Sequence, residues 1–148
     1  MHLNNAPQAT GQLNITLYGP DGSVKDERQV DNLVVTTGLG WLTSRAAAAS
    51  PPAAMGWMAV GTNSTAAALA NTTLGAEVGR TATATPTVSA NQQTYSATFG
   101  AGVGTGALTE AGIFNASSAG TMLSRTVFGV ITKGSLDVLV INWTITLN

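Results

Sequence analysis

The sequence predicts an all-β fold, either a jelly roll or a β-sandwich, with about eight to nine short strands and one short helix. Alanine, threonine, glycine and β-branched apolar residues dominate the composition. Several segments alternate between apolar and polar side chains, which is typical of half-buried strands. The 148 residues fit one domain. We expect residues 1–11 to form a flexible N-terminal arm and residues 12–148 to form the domain.

The first two strands form a predicted hairpin. Residues 12–18 alternate, and the apolar side chains on one face are Leu13, Ile15 and Leu17. Gly19-Pro20-Asp21-Gly22 places proline and glycine where a turn favours them. Residues 23–35 begin with charged side chains and end in Leu33-Val34-Val35. The return strand is therefore expected to start in solvent and finish in the core.

One helix is expected after this hairpin. Thr36 or Thr37 can cap it, and apolar residues recur at helical spacing from Leu39. We expect the alanine run to extend the helix and Pro51 and Pro52 to end it. Two glycines argue against a helix here, because each costs about 1 kcal/mol relative to alanine; they are Gly38 and Gly40.

The rest of the chain predicts further strands. Residues 57–61 form a short buried strand, and residues 63–73 form a polar loop. Extended segments follow at residues 74–85 and 94–99, where Tyr95, Ala97 and Phe99 face inward. After a glycine-rich break at residues 100–106, a hairpin is expected from residues 108–115 and 121–128.

The last predicted strand, residues 136–147, has the strongest pattern. Five apolar residues share one face: Leu139, Ile141, Trp143, Ile145 and Leu147. Val138 and Val140 lie on the other face, so the first half of the strand is expected to be central and covered on both sides. We expect Trp143, Ile141 and Ile145 to lie in the core beside Tyr95, Phe99 or Phe114.

Composition argues against most catalytic chemistry. The chain has no cysteine and a single histidine, His2, and only 9% of its residues are charged, with a net charge of −1. We expect no cofactor, no metal site and no enzyme activity. No basic patch for nucleic acid is present, no apolar run approaches the roughly 18 residues that span a bilayer, and no signal peptide is recognised. Such low charge favours a protein that keeps much of its surface against a partner.

Two sequence features could suggest enzymatic chemistry. Residues 102–107 match a dinucleotide-binding fingerprint, but a strand-like segment follows and position 122 is methionine, so a flexible connection is the preferred interpretation. Four of the seven carboxylates lie in the solvated first hairpin, and they are Asp21, Asp26, Glu27 and Asp31. The other three are expected in structural ion pairs, and they are Glu77, Glu110 and Asp137.

The most specific of these pairs joins Glu110 to Arg125. Both residues lie at similar distances from the turn at residues 116–120, so cross-strand pairing is plausible.

The three tryptophans could form a ligand-stacking shelf. They occur in segments with a strand or helix pattern, however, which favours packing in the core or at an interface.

The order of several motifs resembles one family. Gly56-Trp57-Met58-Ala59-Val60-Gly61-Thr62, Glu110-Ala111-Gly112-Ile113-Phe114-Asn115 and Asp137-Val138-Leu139-Val140-Ile141-Asn142-Trp143 follow Asn32-Leu33-Val34-Val35-Thr36-Thr37-Gly38 in the chain. This succession is similar to the cement, or decoration, proteins that bind the outside of tailed-bacteriophage capsids, such as those of Bordetella podophages. Similar motifs also occur in tail-fibre and baseplate proteins, which leaves a receptor-binding or tail module as the alternative.

The resemblance implies a jelly-roll-type homo-oligomer, a dimer or trimer, bound to the major capsid protein. It also implies a location on the capsid exterior after synthesis in the bacterial cytoplasm. We expect contacts with the capsid from the N-terminal arm and from the loops at residues 47–55 and 61–73. The candidate contact residues are Leu3, Pro7, Pro51, Pro52 and Met55.

Overall fold

A computed structural model describes residues 9–47 and 52–148. Within these residues the chain forms nine strands and one helix. In chain order they are β1 (Ala9–Tyr18), β2 (Val24–Val34), α1 (Thr36–Arg45), β3 (Trp57–Gly61), β4 (Glu77–Ala82), β5 (Thr87–Ser89), β6 (Gln92–Phe99), β7 (Gly106–Phe114), β8 (Met122–Lys133) and β9 (Val138–Leu147).

The strands form one antiparallel sheet in the order β4-β3-β7-β8-β2-β1-β9-β6-β5. Strand β2 joins its two halves: most of it pairs with β1, whereas Leu33 and Val34 pair with β8. The sheet curls until Thr83, just after β4, forms a bridge with Ala97 on β6. The prediction of an all-β fold with about eight to nine strands and one short helix is confirmed.

The main core lies inside the curl and is lined by both halves of the sheet. Trp143 is fully buried on β9, and its register partner across the strands is Tyr95 on β6. Ile141, Ile145 and Phe99 belong to the same cluster, as predicted. Burial raises the pKa of Tyr95 to about 12, and its hydroxyl donates a hydrogen bond to Gln93 Oε1 at 2.7 Å.

Phe114 is buried as predicted, at 1% exposure, but of the three neighbours considered for Trp143 it is the one that packs elsewhere. It lies in a second, smaller cluster with Val35, Leu74 and Met122. Successive strand residues point to opposite faces, so Ile113 faces the main core and Phe114 faces away from it. Strand β7 is therefore buried on both faces.

Strand β9 is central, between β1 and β6, as predicted. Its second face is less covered than expected, because Val138 and Val140 are only half-buried. Leu147 shares the inward face but is 38% exposed at the end of the strand.

Helix α1 is shorter than predicted and lacks the predicted cap. Its N-cap residue is Val35, with no side-chain cap, and the helix ends at Arg45, before the alanine run. The Thr37 hydroxyl instead donates to the Met122 carbonyl oxygen at 2.9 Å. Gly38 permits the close packing behind this contact, because a Cβ atom there would collide with the Leu123 carbonyl oxygen.

Other predicted boundaries shift as well. Strand β1 begins at Ala9, so residues 9–11 belong to the sheet and not to the predicted arm; residues 1–8 lie outside the described residues. Strand β8 continues to Lys133, five residues beyond the predicted hairpin strand. The extended segment predicted at residues 74–85 is a regular strand only from Glu77 to Ala82.

Candidate functional site

Glu110 and Arg125 form the predicted ion pair. Arg125 Nε and Nη2 donate to Glu110 Oε2 at 3.1 and 2.9 Å, and the two side chains are 2% and 0% exposed for Arg125 and Glu110. Arg125 pairs in register with Gly112, two residues from Glu110 on β7, so both side chains lie on the same face. That face points away from the main core.

Glu110 also accepts three backbone hydrogen bonds. Its Oε1 atom accepts from the amides of Asn63 and Ala76 at 3.2 and 2.7 Å, and its Oε2 atom accepts from the Gly75 amide at 2.9 Å. A buried carboxylate is stable only when its oxygens have such partners. Gly61 leaves the necessary room, because a Cβ atom there would collide with Glu110 Oε1 and the Ala76 carbonyl oxygen.

Arg125 uses its remaining donors on the same segment. Its Nη1 atom donates to Asn71 Oδ1 at 3.1 Å, and its Nη2 atom donates to the Thr65 carbonyl oxygen at 3.0 Å. Together, Glu110 and Arg125 fix both ends and the middle of residues 62–76, which we call the clamped loop. The pair therefore determines the conformation of an irregular segment as well as neutralising two buried charges.

Further hydrogen bonds hold the clamped loop. Asn63 Oδ1 accepts from the Thr65 amide, and Asn71 Oδ1 accepts from the Ala68 amide, both at 2.8 Å. The first helical amide, that of Thr36, donates to the Leu69 carbonyl oxygen at 2.9 Å. The loop thus lies over β7 while exposing a surface without any charged side chain, and Leu69 at its centre is 54% exposed.

The two other isolated carboxylates are also in ion pairs, as predicted. Glu77 accepts two hydrogen bonds from Arg80, at 2.8 and 2.7 Å, and the Arg80 guanidinium lies 3.9 Å from the centre of the Phe114 ring. Asp137 accepts from Lys25 Nζ at 2.7 Å and from the Gly134 amide at 2.7 Å. These bonds, that from Lys25 foremost, hold the pKa of Asp137 below its ordinary value.

Lys133 is a buried charge that the sequence did not predict. It is 1% exposed and its Nζ atom donates to the Gly100 carbonyl oxygen at 2.9 Å. Desolvation lowers the pKa of this amine, and the nearby carboxylate of Asp137 opposes that shift. Its position at the end of β8 ties the glycine-rich segment 100–106 to the sheet.

Of the five predicted capsid-contact residues, the structure describes two, Pro52 and Met55. Met55 is 2% exposed and packs in the main core, so its prediction as a contact residue is wrong; it follows an exposed segment but points inward. Pro52 is exposed, and its carbonyl oxygen accepts from Arg45 Nη1 at 2.8 Å. Leu3, Pro7 and Pro51 lie outside the described residues.

The alternative chemistries find little support in the geometry. Residues 102–105 form turns and β7 begins at Gly106, so no helix N-terminus follows the glycines that match the dinucleotide fingerprint. Trp41 and Trp143 are buried in the main core, which supports packing over a ligand shelf. Among residues 9–47 and 52–148, no group of three potential metal ligands occurs, and no helix is long and apolar enough to cross a membrane.

Sequence reasoning missed one extended feature, the outward face of β1, β9 and β6. Every second residue on these strands points away from the core, and almost all of them carry hydroxyl or amide groups. The alternation of apolar and polar residues in these strands already indicates an outward polar face, but it indicates no role for that face.

No family model, curated protein or solved structure matches this chain, so its function is inferred from its own sequence and geometry.

Proposed function

We propose that this protein is a structural component of a virus particle, a cement protein that binds the outer surface of a bacteriophage capsid as a homo-oligomer and bridges major capsid protein subunits. The observation that carries the proposal is the clamped loop, a firmly held segment that presents an uncharged surface. The resemblance of the motif order to phage decoration proteins supports the same function.

The clamped loop has the properties of a binding element. A segment already held in one conformation loses little entropy on association, so more of its contact energy remains as affinity. Its exposed residues are mainly alanine, serine and threonine around Leu69, and such small side chains lose little conformational entropy when they are buried. Each copy makes a modest contact, and repetition around a multivalent shell raises the avidity.

The location in the particle tests the proposal directly. Gold-labelled antibodies against the chain should decorate purified particles of the encoding phage evenly over the shell. Labelling confined to the tail would support the alternative, a tail-fibre, baseplate or receptor-binding module. Protein absent from purified particles would contradict both proposals.

A pair of matched variants tests the contact surface. Leu69→Asp places a charge at the centre of the clamped loop, and Val88→Asp places one at an exposed valine on β5. Val88 is more exposed than Leu69, at 73% against 54%, so a charge there is tolerated at least as well. We expect only Leu69→Asp to prevent recombinant protein from binding particles stripped of it. Equal binding by both variants would remove the loop from the interface.

Salt dependence gives a second readout. Because the surface of the clamped loop carries no charge, attachment should change little with ionic strength. If moderate salt alone releases the intact protein from particles, charged contacts dominate the attachment.

Deletion of residues 1–8 tests the contribution of the N-terminal segment. We expect a folded deletion variant to decorate particles less than the intact protein does.

A further inference from the structure

The outward side chains of β1, β9 and β6 form a continuous polar surface. We call it the polar face: the even-numbered residues 10–16 of β1, 140–146 of β9 and 92–98 of β6. In register they form rows such as Gln12–Thr144–Thr94 and Asn14–Asn142–Ser96. The polar face contains no charged residue, and its only apolar side chain is the half-buried Val140.

One end of this surface forms a hollow of about 450 Å³. Its side chains come from four strands: Thr10, Gln12, Asp31, Gln92, Thr144 and Thr146. Several of them form hydrogen bonds with one another or with adjacent side chains. The Thr94 and Thr144 hydroxyl oxygens lie 3.1 Å apart, Gln29 Nε2 donates to Gln12 Oε1 at 2.9 Å, and Gln92 Nε2 donates to Thr146 Oγ1 at 3.3 Å.

We infer that the polar face is a binding surface for a neutral oligosaccharide, with the hollow as its principal subsite. Charge complementarity selects an uncharged ligand, since Asp31 on the neighbouring strand β2 is the one ionisable group that lines the hollow. A second protein is a poorer occupant, because protein interfaces are centred on buried apolar and aromatic anchors that this surface lacks.

The donor and acceptor pattern fits a polyol. Each glutamine amide offers a donor and an acceptor side by side, and each threonine hydroxyl can act as either. Neighbouring strands lie about 4.8 Å apart and alternate residues of a strand about 6.6 Å apart, so the groups form a regular lattice. The Asp31 carboxylate supplies a strong acceptor at the edge for sugar hydroxyl donors. This inference is independent of the proposed capsid attachment, which uses the clamped loop.

The test is titration of the full chain with maltoheptaose, a mannose oligosaccharide and a galactose oligosaccharide, followed by NMR chemical-shift mapping. A sulfated oligosaccharide is the charged comparison. We expect at least one neutral probe to shift the amides of β1, β6 and β9. The double variant Gln12→Met with Thr144→Val should weaken that binding about tenfold by removing neutral hydrogen bonds at nearly constant shape.

The control is Thr132→Val, which makes the same hydroxyl-to-methyl change at an exposed position on β8. It should bind the probe as the unaltered protein does. No shift with any neutral probe, equal binding by the double variant, or stronger binding of the sulfated probe would each overturn the inference. Dissociation of a dimer in the double variant, measured by sedimentation, would identify a second copy as the occupant instead and overturn it as well.

Normal decoration of particles by the double variant, and normal sugar binding by Leu69→Asp, would show that the two surfaces act separately. If the unaltered protein binds a neutral sugar but does not bind particles, the proposed function is overturned and the inference about the polar face is retained. If the unaltered protein binds particles but no neutral sugar, only the inference about the polar face is overturned.

Discussion

The two halves of the sheet differ in whether the polar side chains on their outer faces are covered. On β7 and β8 the clamped loop covers the outer face, and the two charged groups beneath it, Glu110 and Arg125, are paired with each other and with the loop. Among residues 9–47 and 52–148, the outer face of β1, β9 and β6 is exposed or half-buried, so its hydroxyls and amides remain in contact with solvent. A buried polar group must have hydrogen-bond partners, which restricts the residues around it. A polar group on an exposed face is available to a ligand.

The largest effect is expected in the core that both halves share. Trp143→Ala should lower the free energy of unfolding by about 4 kcal/mol, because it removes a fully buried indole and leaves a cavity. Urea denaturation measures this loss. An unchanged midpoint would mean that the indole does not support the packing of the two halves.

The ion pair under the clamped loop should give the next largest effect. Arg125→Met leaves Glu110 buried beside a neutral side chain and should cost about 3 kcal/mol. A double-mutant cycle with Glu110→Gln should show strong coupling between the two sites. Hydrogen exchange of the Gly75 and Ala76 amides, which donate to Glu110, should accelerate in the same variants.

The control for this cycle is the half-exposed pair of Asp26 and Arg28, which are 3.0 Å apart. Their coupling should stay below about 1 kcal/mol, because solvent screens exposed ion pairs. Additive effects at Glu110 and Arg125 would contradict the role assigned to the pair.

Helix α1 packs on β8 and offers two glycines with opposite expectations. Gly38→Ala should destabilise the fold by about 2 kcal/mol, because the new methyl group meets the backbone of Leu123. Gly40→Ala meets no atom within 4 Å and should stabilise it by about 0.5–1 kcal/mol through helix propensity. Thermal denaturation of both variants measures the difference, and equal effects would show that α1 is not held tightly against β8.

Acid should reveal the contribution of Asp137 at the β8–β9 turn. The hydrogen bond from Lys25 lowers the pKa of this carboxyl below its ordinary 3.8, so the unfolded chain binds the proton more readily. The stabilisation is therefore present above about pH 3.8 and lost as the pH falls through the lower folded-state pKa. Urea midpoints of Asp137→Asn should fall less steeply with acid than those of the unaltered protein. Parallel curves would contradict this assignment.

The smallest effect is expected on the polar face. Gln12→Met and Thr144→Val should each change the free energy of unfolding by less than about 0.5 kcal/mol, since Gln12 is exposed, Thr144 is only half-buried, and neither is the partner of a fully buried polar group. The same urea assay measures it. A loss as large as that of Arg125→Met would erase the distinction between the covered and the open half.

The sequence alone determined much of this protein. Alternation over residues 12–18, 94–99 and 139–145 predicted the inward side chains correctly, because side-chain direction in a strand depends only on local geometry. The distances of Glu110 and Arg125 from one turn predicted their pairing for the same reason. The same alternation placed the residues of the polar face on one side of the sheet. Only the structure shows that none of the segments it describes lies over them.

Only the tertiary structure decided what covers each face. Nothing local to Phe114 indicates that the clamped loop lies above it, or that Met55 turns inward after an exposed segment. Burial of Lys133 depends on the Gly100 carbonyl oxygen, 33 residues away in the chain, and the need for glycine at position 38 depends on β8. The direction of a side chain in a strand is a local property. Covering a face of the sheet, in contrast, requires contacts between segments far apart in sequence, and those contacts form only when the sheet curls.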